Sequence, residues 1–225
     1  MNSRERVLNS INHKQPDRVP LDLGATPSSN ISAIAYNNLK KHLGISGGYT
    51  RIYDVVQQVV IPEDSIIERF GIDVIDIGRA FNEKDTDWYD TELADKSRAQ
   101  YPAWFRPEKK GNGDYQVVKN GKVIARMPVG ATFFDQTYFP YLDGYPENYR
   151  NLDEDMSMVL WSALAHSPWD NSKDPAFYQK LREKALEFRK STDKALMIVC
   201  GCNLFEWGTF LRRIDNFLMD IYNVY

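Results

Sequence analysis

The sequence predicts an α/β fold in which amphipathic helices alternate with short apolar strands, in the order of a TIM-type (β/α)8 barrel that this chain begins and does not close. Three stretches carry the prediction. Lys14 to Gly24, Lys-Gln-Pro-Asp-Arg-Val-Pro-Leu-Asp-Leu-Gly, reads as a tight turn feeding a buried strand from Val19 to Leu23, because the two prolines exclude helix and Val19, Leu21 and Leu23 alternate with Pro20 and Asp22. Ile72 to Ile77 reads as a second strand running into Gly78-Arg79. Ala195 to Cys200 is a continuous apolar run, the pattern of a parallel strand buried on both faces.

Closure of such a barrel takes eight strands and typically about 250 residues before insertions. With three convincing strands and a long insertion inside 225 residues, the expectation is one domain over 1–225, truncated at its carboxyl end. A chain that is 43% hydrophobic and 26% charged can bury one substantial core. Its 28 basic and 31 acidic residues are mixed along the chain and sum to −3, which gives no basic face for nucleic acid. No apolar run approaches the ~20 residues of a membrane span. The start, Met-Asn-Ser-Arg-Glu-Arg, lacks the apolar core of a signal peptide. Two cysteines, Cys200 and Cys202, cannot make a disulfide framework, so a reducing cytoplasm fits best.

In chain order, Asn2 to Asn12 is predicted as a helix, with Asn2 and Glu5 at capping-box spacing and Val7, Leu8 and Ile11 on its apolar face. A second helix is expected over Ser28 to Leu43, from the stripe Ile31, Ile34, Ala35, Leu39 and Leu43 and the stop at Gly44. Gly47-Gly48 makes a turn, and Tyr53 to Ile61 reads as extended or irregular. Pro62 opens a short helix with Glu63 and Asp64 in its first turn, and Gly71 ends it.

From Phe81 to about Pro140 the helical period disappears, and an antiparallel insertion is predicted over the binding face. Its clearest piece is a hairpin over Tyr115 to Arg126 around Asn120-Gly121, the preferred pair for a two-residue type I′ turn. Its aromatics, Trp88, Tyr89, Tyr101, Trp104 and Phe105, either form the insertion's own small core or stack on a flat macrocycle. A helix is predicted from Asn151, capped with Glu154 and presenting Met156, Val159, Leu160, Ala163 and Leu164. Asp174 and Pro175 start the next, with Tyr178, Leu181, Ala185 and Phe188 inward. After the rim loop Gly201-Cys202-Asn203, helical segments follow over Leu204 to Arg213 and along the face of Ile214, Phe217, Leu218, Ile221 and Tyr222.

Ligands of α/β sheets bind at the carboxyl ends of the strands. Asp22 is expected near that end of the first strand, either as a loop cap or as a ligand contact. Gly78 and Arg79 are expected at the same rim, where Arg79 either forks onto a carboxylate or phosphate or pairs with a local acid such as Glu83.

Four segments resemble the amino-terminal part of the uroporphyrinogen decarboxylase superfamily: the opening Ser3 to Asp22, Glu68-Arg-Phe-Gly-Ile-Asp-Val, Val159-Leu-Trp-Ser-Ala-Leu-Ala-His-Ser-Pro-Trp-Asp, and Leu204 to Asp220. The resemblance spans nearly the whole chain. It implies a TIM-like barrel, often dimeric, whose members either decarboxylate the acetate arms of a tetrapyrrole or move methyl groups between a corrinoid and a thiol or folate.

Departures from the family's motifs favour the second branch. The decarboxylases' Arg-Gln-Ala-Gly-Arg-Tyr motif is here Leu23-Gly-Ala-Thr-Pro-Ser-Ser-Asn, without arginine. Where their catalytic aspartate follows the second strand this chain has Ile77-Gly78-Arg79, with Asp76 close but expected on the opposite face. Their active-site tyrosine falls near Thr209 or Phe210. The resemblance therefore implies a corrinoid (cobalamin)-dependent methyltransferase, or the amino-terminal part of one, with a corrinoid or corrinoid protein as partner and methyl donor. In that branch zinc on His and Cys residues of later strands activates the accepting thiol, and those ligands are expected beyond Tyr225. His13, His42 and His166 lie far apart, and Cys200 and Cys202 read as packing residues, so no metal site is assigned within the chain. The rim positions expected to meet substrate or corrinoid are Asp22, Arg79, Asn203, Glu206 and Trp207. Asp22 or Glu206 would accept from corrinoid amides, Arg79 would take a carboxylate or phosphate, and Trp207 would stack. The alternatives are uroporphyrinogen decarboxylation and an inactive paralogue acting as an assembly partner.

Overall fold

The computed structural model describes residues 1–78, 84–164, 168–199 and 203–223. In chain order the helices and strands begin with α1 (Ser3–Ile11), α2 (Ala33–His42), β1 (Ile52–Asp54), β2 (Val59–Val60), α3 (Asp64–Arg69) and β3 (Val74–Asp76). The middle of the chain is β4 (Trp88–Glu92), β5 (Arg98–Pro102), β6 (Glu108–Lys109), β7 (Tyr115–Lys119), β8 (Lys122–Met127) and β9 (Asp135–Gln136). There follow α4 (Leu152–Ser157), α5 (Leu160–Leu164), α6 (Pro175–Ser191), β10 (Ala195–Met197), α7 (Leu204–Arg212) and α8 (Ile214–Asn223). The fold is mixed α/β, and among the described residues its small sheets do not close into a barrel. No described helix is long and apolar enough to cross a membrane.

Two compact units divide the chain. The first comprises 1–54, 58–104 and 167–200, the second 55–57, 105–166 and 201–225. In the first unit the organising pair is β3 with β10, parallel and in register from Val74↔Ala195 to Asp76↔Met197. A connection of more than a hundred residues separates these two strands, so their pairing is a crossover of the kind an α/β sheet requires. One apolar cluster joins Ala25, Val74 and Ala195 to Val7 of α1, and another joins Ile67, Ile72 and Ile75 to Leu23, Phe188 and Leu196.

The capping box of α1 forms as the spacing predicts: Glu5 N donates to Asn2 Oδ1 at 2.8 Å and Asn2 N to Glu5 Oε2 at 3.0 Å. Its buried face differs from the expectation. Leu8 and Ile11 are exposed while Arg6 is buried, because Arg6 is drawn into an ion-pair cluster. Its guanidinium grips Asp17 through Nε at 2.6 Å and Nη2 at 2.8 Å, and reaches Asp73 Oδ1 at 2.5 Å.

Val19 to Leu23 forms no regular strand. Pro20 lacks a donor, and Leu21 N donates to the Asp73 side chain at 2.8 Å while Leu21 O accepts from Asp73 N at 2.8 Å. The segment thus runs beside the start of β3 with one ladder bond replaced by a carboxylate. The helix expected from Ser28 starts later: Pro27 to Ser29 is one 3₁₀ turn, and Ser32 caps α2. The stretch 53–61 resolves into the antiparallel pair β1–β2, with Ile52↔Val60 in register.

The predicted insertion is split between the units. Its first part is the antiparallel pair β4–β5, with Trp88↔Pro102 in register, in unit one. The rest is the sheet β6-β7-β8-β9 in unit two. The Asn120-Gly121 turn has both φ values positive, 50° and 74°, as a type I′ turn requires. Phe105 packs edge-on against Phe134 at 5.6 Å within unit two.

The helix predicted from Asn151 is broken into α4 and α5, and the Asn151 side chain makes no cap bond. The last bonds of α4 tighten to three-residue spacing, Met158 N to Asp155 O and Val159 N to Met156 O, and Lys119 Nζ takes the Ser157 carbonyl at 2.7 Å. The core face still holds: Val159, Leu160 and Leu164 are buried. In α6 the Asp174 cap forms, with Ala176 N donating at 2.9 Å, but Phe177 rather than Tyr178 points inward. Strand β10 is shorter than the apolar run that predicts it, and Met197 and Val199 are exposed because β10 pairs on one edge only among the described strands.

In unit two, Gly208 of α7 meets the Phe217 ring of α8, and a Cβ built on it would lie 2.2 Å from Phe217 Cζ. Alanine in a helix interior normally gains about 1 kcal/mol over glycine. Here overpacking outweighs that gain, so Gly208→Ala is expected to destabilise the fold by about 1–3 kcal/mol in urea unfolding.

Candidate functional site

In unit one the carboxyl end of β3 carries a buried carboxylate. Asp76 is 5% exposed and accepts from Gly78 N at 2.8 Å. Strand β1 supplies Tyr53, whose phenol is hydrogen-bonded to Asp76. Asp54, also buried, follows in the chain. Burial pushes the Tyr53 phenol well above its ordinary range, and the charges of Asp76 and Asp54 push it further. The phenol therefore keeps its proton throughout the physiological range and donates to Asp76. A carboxylate has about four acceptor positions, and Gly78 N and Tyr53 are two of its donors.

The sequence reading set Asp76 on the opposite face of its strand, and it did not single out Tyr53 because 53–61 has no regular period. The legible signal was the position of Asp76, one residue from the end of the apolar run 72–77.

Asp22 is exposed, and its Oδ1 accepts from Ala25 N at 3.1 Å, which is the loop-capping arrangement. The bond from Asp73 N to Leu21 O sets Asp22 level with Asp73. Asp76 lies three residues farther along, about 10 Å at the rise of a strand. The stretch continues beside the strand, with Leu23 packed in the cluster of Ile75 and Ala25 in that of Val74. Arg79 lies outside the described residues, as do His166, Cys200 and Cys202.

Asn203, Glu206 and Trp207 belong to unit two, at the start of α7. Asn203 Nδ2 donates to the Glu206 carboxylate, so these two are joined. Trp207 packs beside Phe210 at 6.2 Å between ring centres and against the cluster of Tyr141, Val159 and Leu211. Its ring is thus shared with the core of unit two. His13 follows α1 with φ 56° and His42 ends α2. Among the described residues no group of three or more His, Cys, Asp or Glu side chains is placed to hold a metal ion.

The class these features define is a mixed α/β protein with a buried Asp76, beside a half-buried Tyr53, at the carboxyl end of a parallel strand. Comparison of the chain with family models, with curated proteins and with solved structures gives no match.

Proposed function

We propose that this chain belongs to the uroporphyrinogen decarboxylase superfamily and acts in corrinoid-dependent methyl transfer, as a TIM-like barrel enzyme or the amino-terminal part of one. The observation that supports the reading best is where two of its resembling stretches meet, the opening Ser3 to Asp22 and the segment 68–74. Arg6 of the opening helix, Arg18 and Leu21 of the following turn, and Asp73 of the segment 68–74 all bond one another through the Asp73 carboxylate. Segments that resemble one family at separate places in the sequence are thus parts of a single piece of structure.

In this reading the corrinoid is the methyl donor, and its amide side chains offer N–H groups to Asp76, with Tyr53 fixing the carboxylate. In unit one Asp22 is a further acceptor and Arg79 takes a carboxylate or phosphate; the candidate contacts of unit two are, by themselves, Glu206 as an acceptor oriented by Asn203 and Trp207 as a stacking ring. The described residues offer no donor set for zinc, so no step is assigned to it. The test is titration of the purified protein with methylcobalamin, followed by absorbance with and without a thiol acceptor. Asp76→Asn, Asp22→Ala and Arg79→Ala are each expected to weaken methylcobalamin binding about tenfold, or about 1.4 kcal/mol. Unchanged affinity in all three would remove the assignment.

One observation favours decarboxylation as a second reading. The buried Asp76 stands at the end of the strand whose counterpart in the decarboxylases precedes their catalytic aspartate. Release of carbon dioxide from uroporphyrinogen, abolished in Asp76→Asn, would select it. Inertness toward both substrates would leave the assembly-partner reading.

A further inference from the structure

A groove of about 680 Å³ opens in unit one between the end of α2, the loop 44–50 and strands β4 and β5, away from the Asp76 site in sequence and independent of the methyl-transfer reading. Its floor is a fixed polar network. Thr50 Oγ1 donates to Asn37 Oδ1 at 2.6 Å, and Asn37 Nδ2 donates to Ser97 Oγ at 2.8 Å and to the Arg98 carbonyl at 2.9 Å. Gln100 Nε2 holds Asp90 at 3.0 Å.

Two cations on the lining are unspent. The Lys41 ammonium and the Arg98 guanidinium have no carboxylate or hydrogen-bond partner among the described residues. Lys40, beside them, is neutralised by Glu63 at 2.6 Å. The loop adds donors of a second kind. The backbone N–H groups of Ser46, Gly47 and Gly48, three in succession, make no hydrogen bond among the described residues. The helix-end carbonyls nearby are already used, since Gly44 N takes Lys41 O and Ile45 N takes Lys40 O. Nothing lies within 4 Å of a Cβ built on Gly44 or Gly47, so a ligand can approach the loop backbone.

Successive free N–H groups beside an arginine and a lysine favour a multiply charged anion. The same groove holds Asp90, whose carboxylate repels a bare anion but accepts from hydroxyl groups. We propose that the groove binds a phosphorylated sugar or polyol, its phosphate on Arg98, Lys41 and the loop N–H groups and its hydroxyls on Asp90 and Asn37. Tyr49 forms a rigid edge, because the Arg51 guanidinium is held 4.1 Å from its ring centre.

The test is calorimetric titration of the whole protein with inorganic phosphate, a hexose monophosphate and the parent hexose. One equivalent of hexose monophosphate is expected to bind at least tenfold more tightly than inorganic phosphate, and the parent hexose not to bind at millimolar concentration. Arg98→Gln and Lys41→Gln are each expected to weaken that binding tenfold or more, and raised salt to weaken it further. Both side chains are exposed and unbonded, so circular dichroism should match the unmodified protein. Lys96→Gln, on the adjoining turn but paired with Glu92, should change nothing. Absence of saturable hexose monophosphate binding would overturn the proposal. So would binding that Arg98→Gln and Lys41→Gln leave intact, or equal affinity for inorganic phosphate.

Discussion

Replacing Asp73 by alanine is expected to lower the unfolding free energy by about 3 kcal/mol, the cost of removing one partner from a buried ion cluster. The Asp73 side chain is fully buried. Its oxygens take Arg6 Nη1 at 2.5 Å, Arg18 Nη1 at 2.7 Å and Nη2 at 3.1 Å, and Leu21 N at 2.8 Å. The substitution strands the inner face of Arg6, leaves Leu21 N without its acceptor and frees the turn before β3 at once. Burial would raise the Asp73 pKa, but the bonds from Leu21 N, Arg18, Ser3 and Arg6 outweigh it and hold the carboxyl at about 2. The Arg6 hydrogen bond likewise holds Asp17 well below the usual carboxylate range.

Both carboxyls are depressed in the folded state, so their contribution is present above the unfolded value near 4 and is lost as pH falls from there toward 2. Urea unfolding followed from pH 7 to pH 2.5 should show stability dropping steeply below pH 4. In Asp73→Asn the starting stability should be lower and the drop shallower. An equal drop in both proteins would mean that other carboxylates carry the acid transition.

Glu63→Ala is expected to cost a similar amount, about 3 kcal/mol, for a different reason. Glu63 joins three elements of unit one. Its Oε2 takes Lys40 Nζ of α2 at 2.6 Å and the Tyr36 hydroxyl at 3.0 Å, and its Oε1 takes Tyr49 N at 3.1 Å. Lys40 and Tyr36 are buried, so removing the carboxylate leaves an ammonium with only the Tyr49 carbonyl, at 3.2 Å. Gly48 passes directly over Glu63 with φ 79°, and a Cβ there would fall 1.7 Å from Oε1. Only glycine fits that crossing. Lys40→Met in the Glu63→Ala background should recover much of the loss, because it removes the unpaired charge rather than restoring the pair. Failure of that rescue in thermal unfolding would assign the cost to the loop instead.

Much of the local structure was legible in the sequence. The α1 capping box, the Asp174 cap, the Asn120-Gly121 turn and the Gly71 stop all formed where spacing put them, because each depends on residues within a few positions of one another. Expectations that depended on distant partners fared differently. Arg6 displaced Leu8 and Ile11 from the buried face of α1 because its counter-charge lies at Asp73. Residues 19–23 lost their regular strand to the same carboxylate. The predicted insertion proved to be two antiparallel sheets in separate units, a division that no local pattern records.

The site divides in the same way. Asp76 was readable as the last polar residue of an apolar run, but its orientation toward Tyr53 depends on β1, which has only three residues and no period to announce it. The Arg98, Lys41 and loop 44–50 groove draws on α2, the loop and β5, and each part by itself reads as an ordinary solvated face. Sequence alone determined the α/β class, the turn positions and the mixed, nearly balanced charge, since these follow from composition and short-range spacing. Tertiary structure decided which charges are buried, which strand ends face one another and which donors stay free. Those depend on what the folded chain brings opposite each group, and a carboxylate's role is set by the partner it meets.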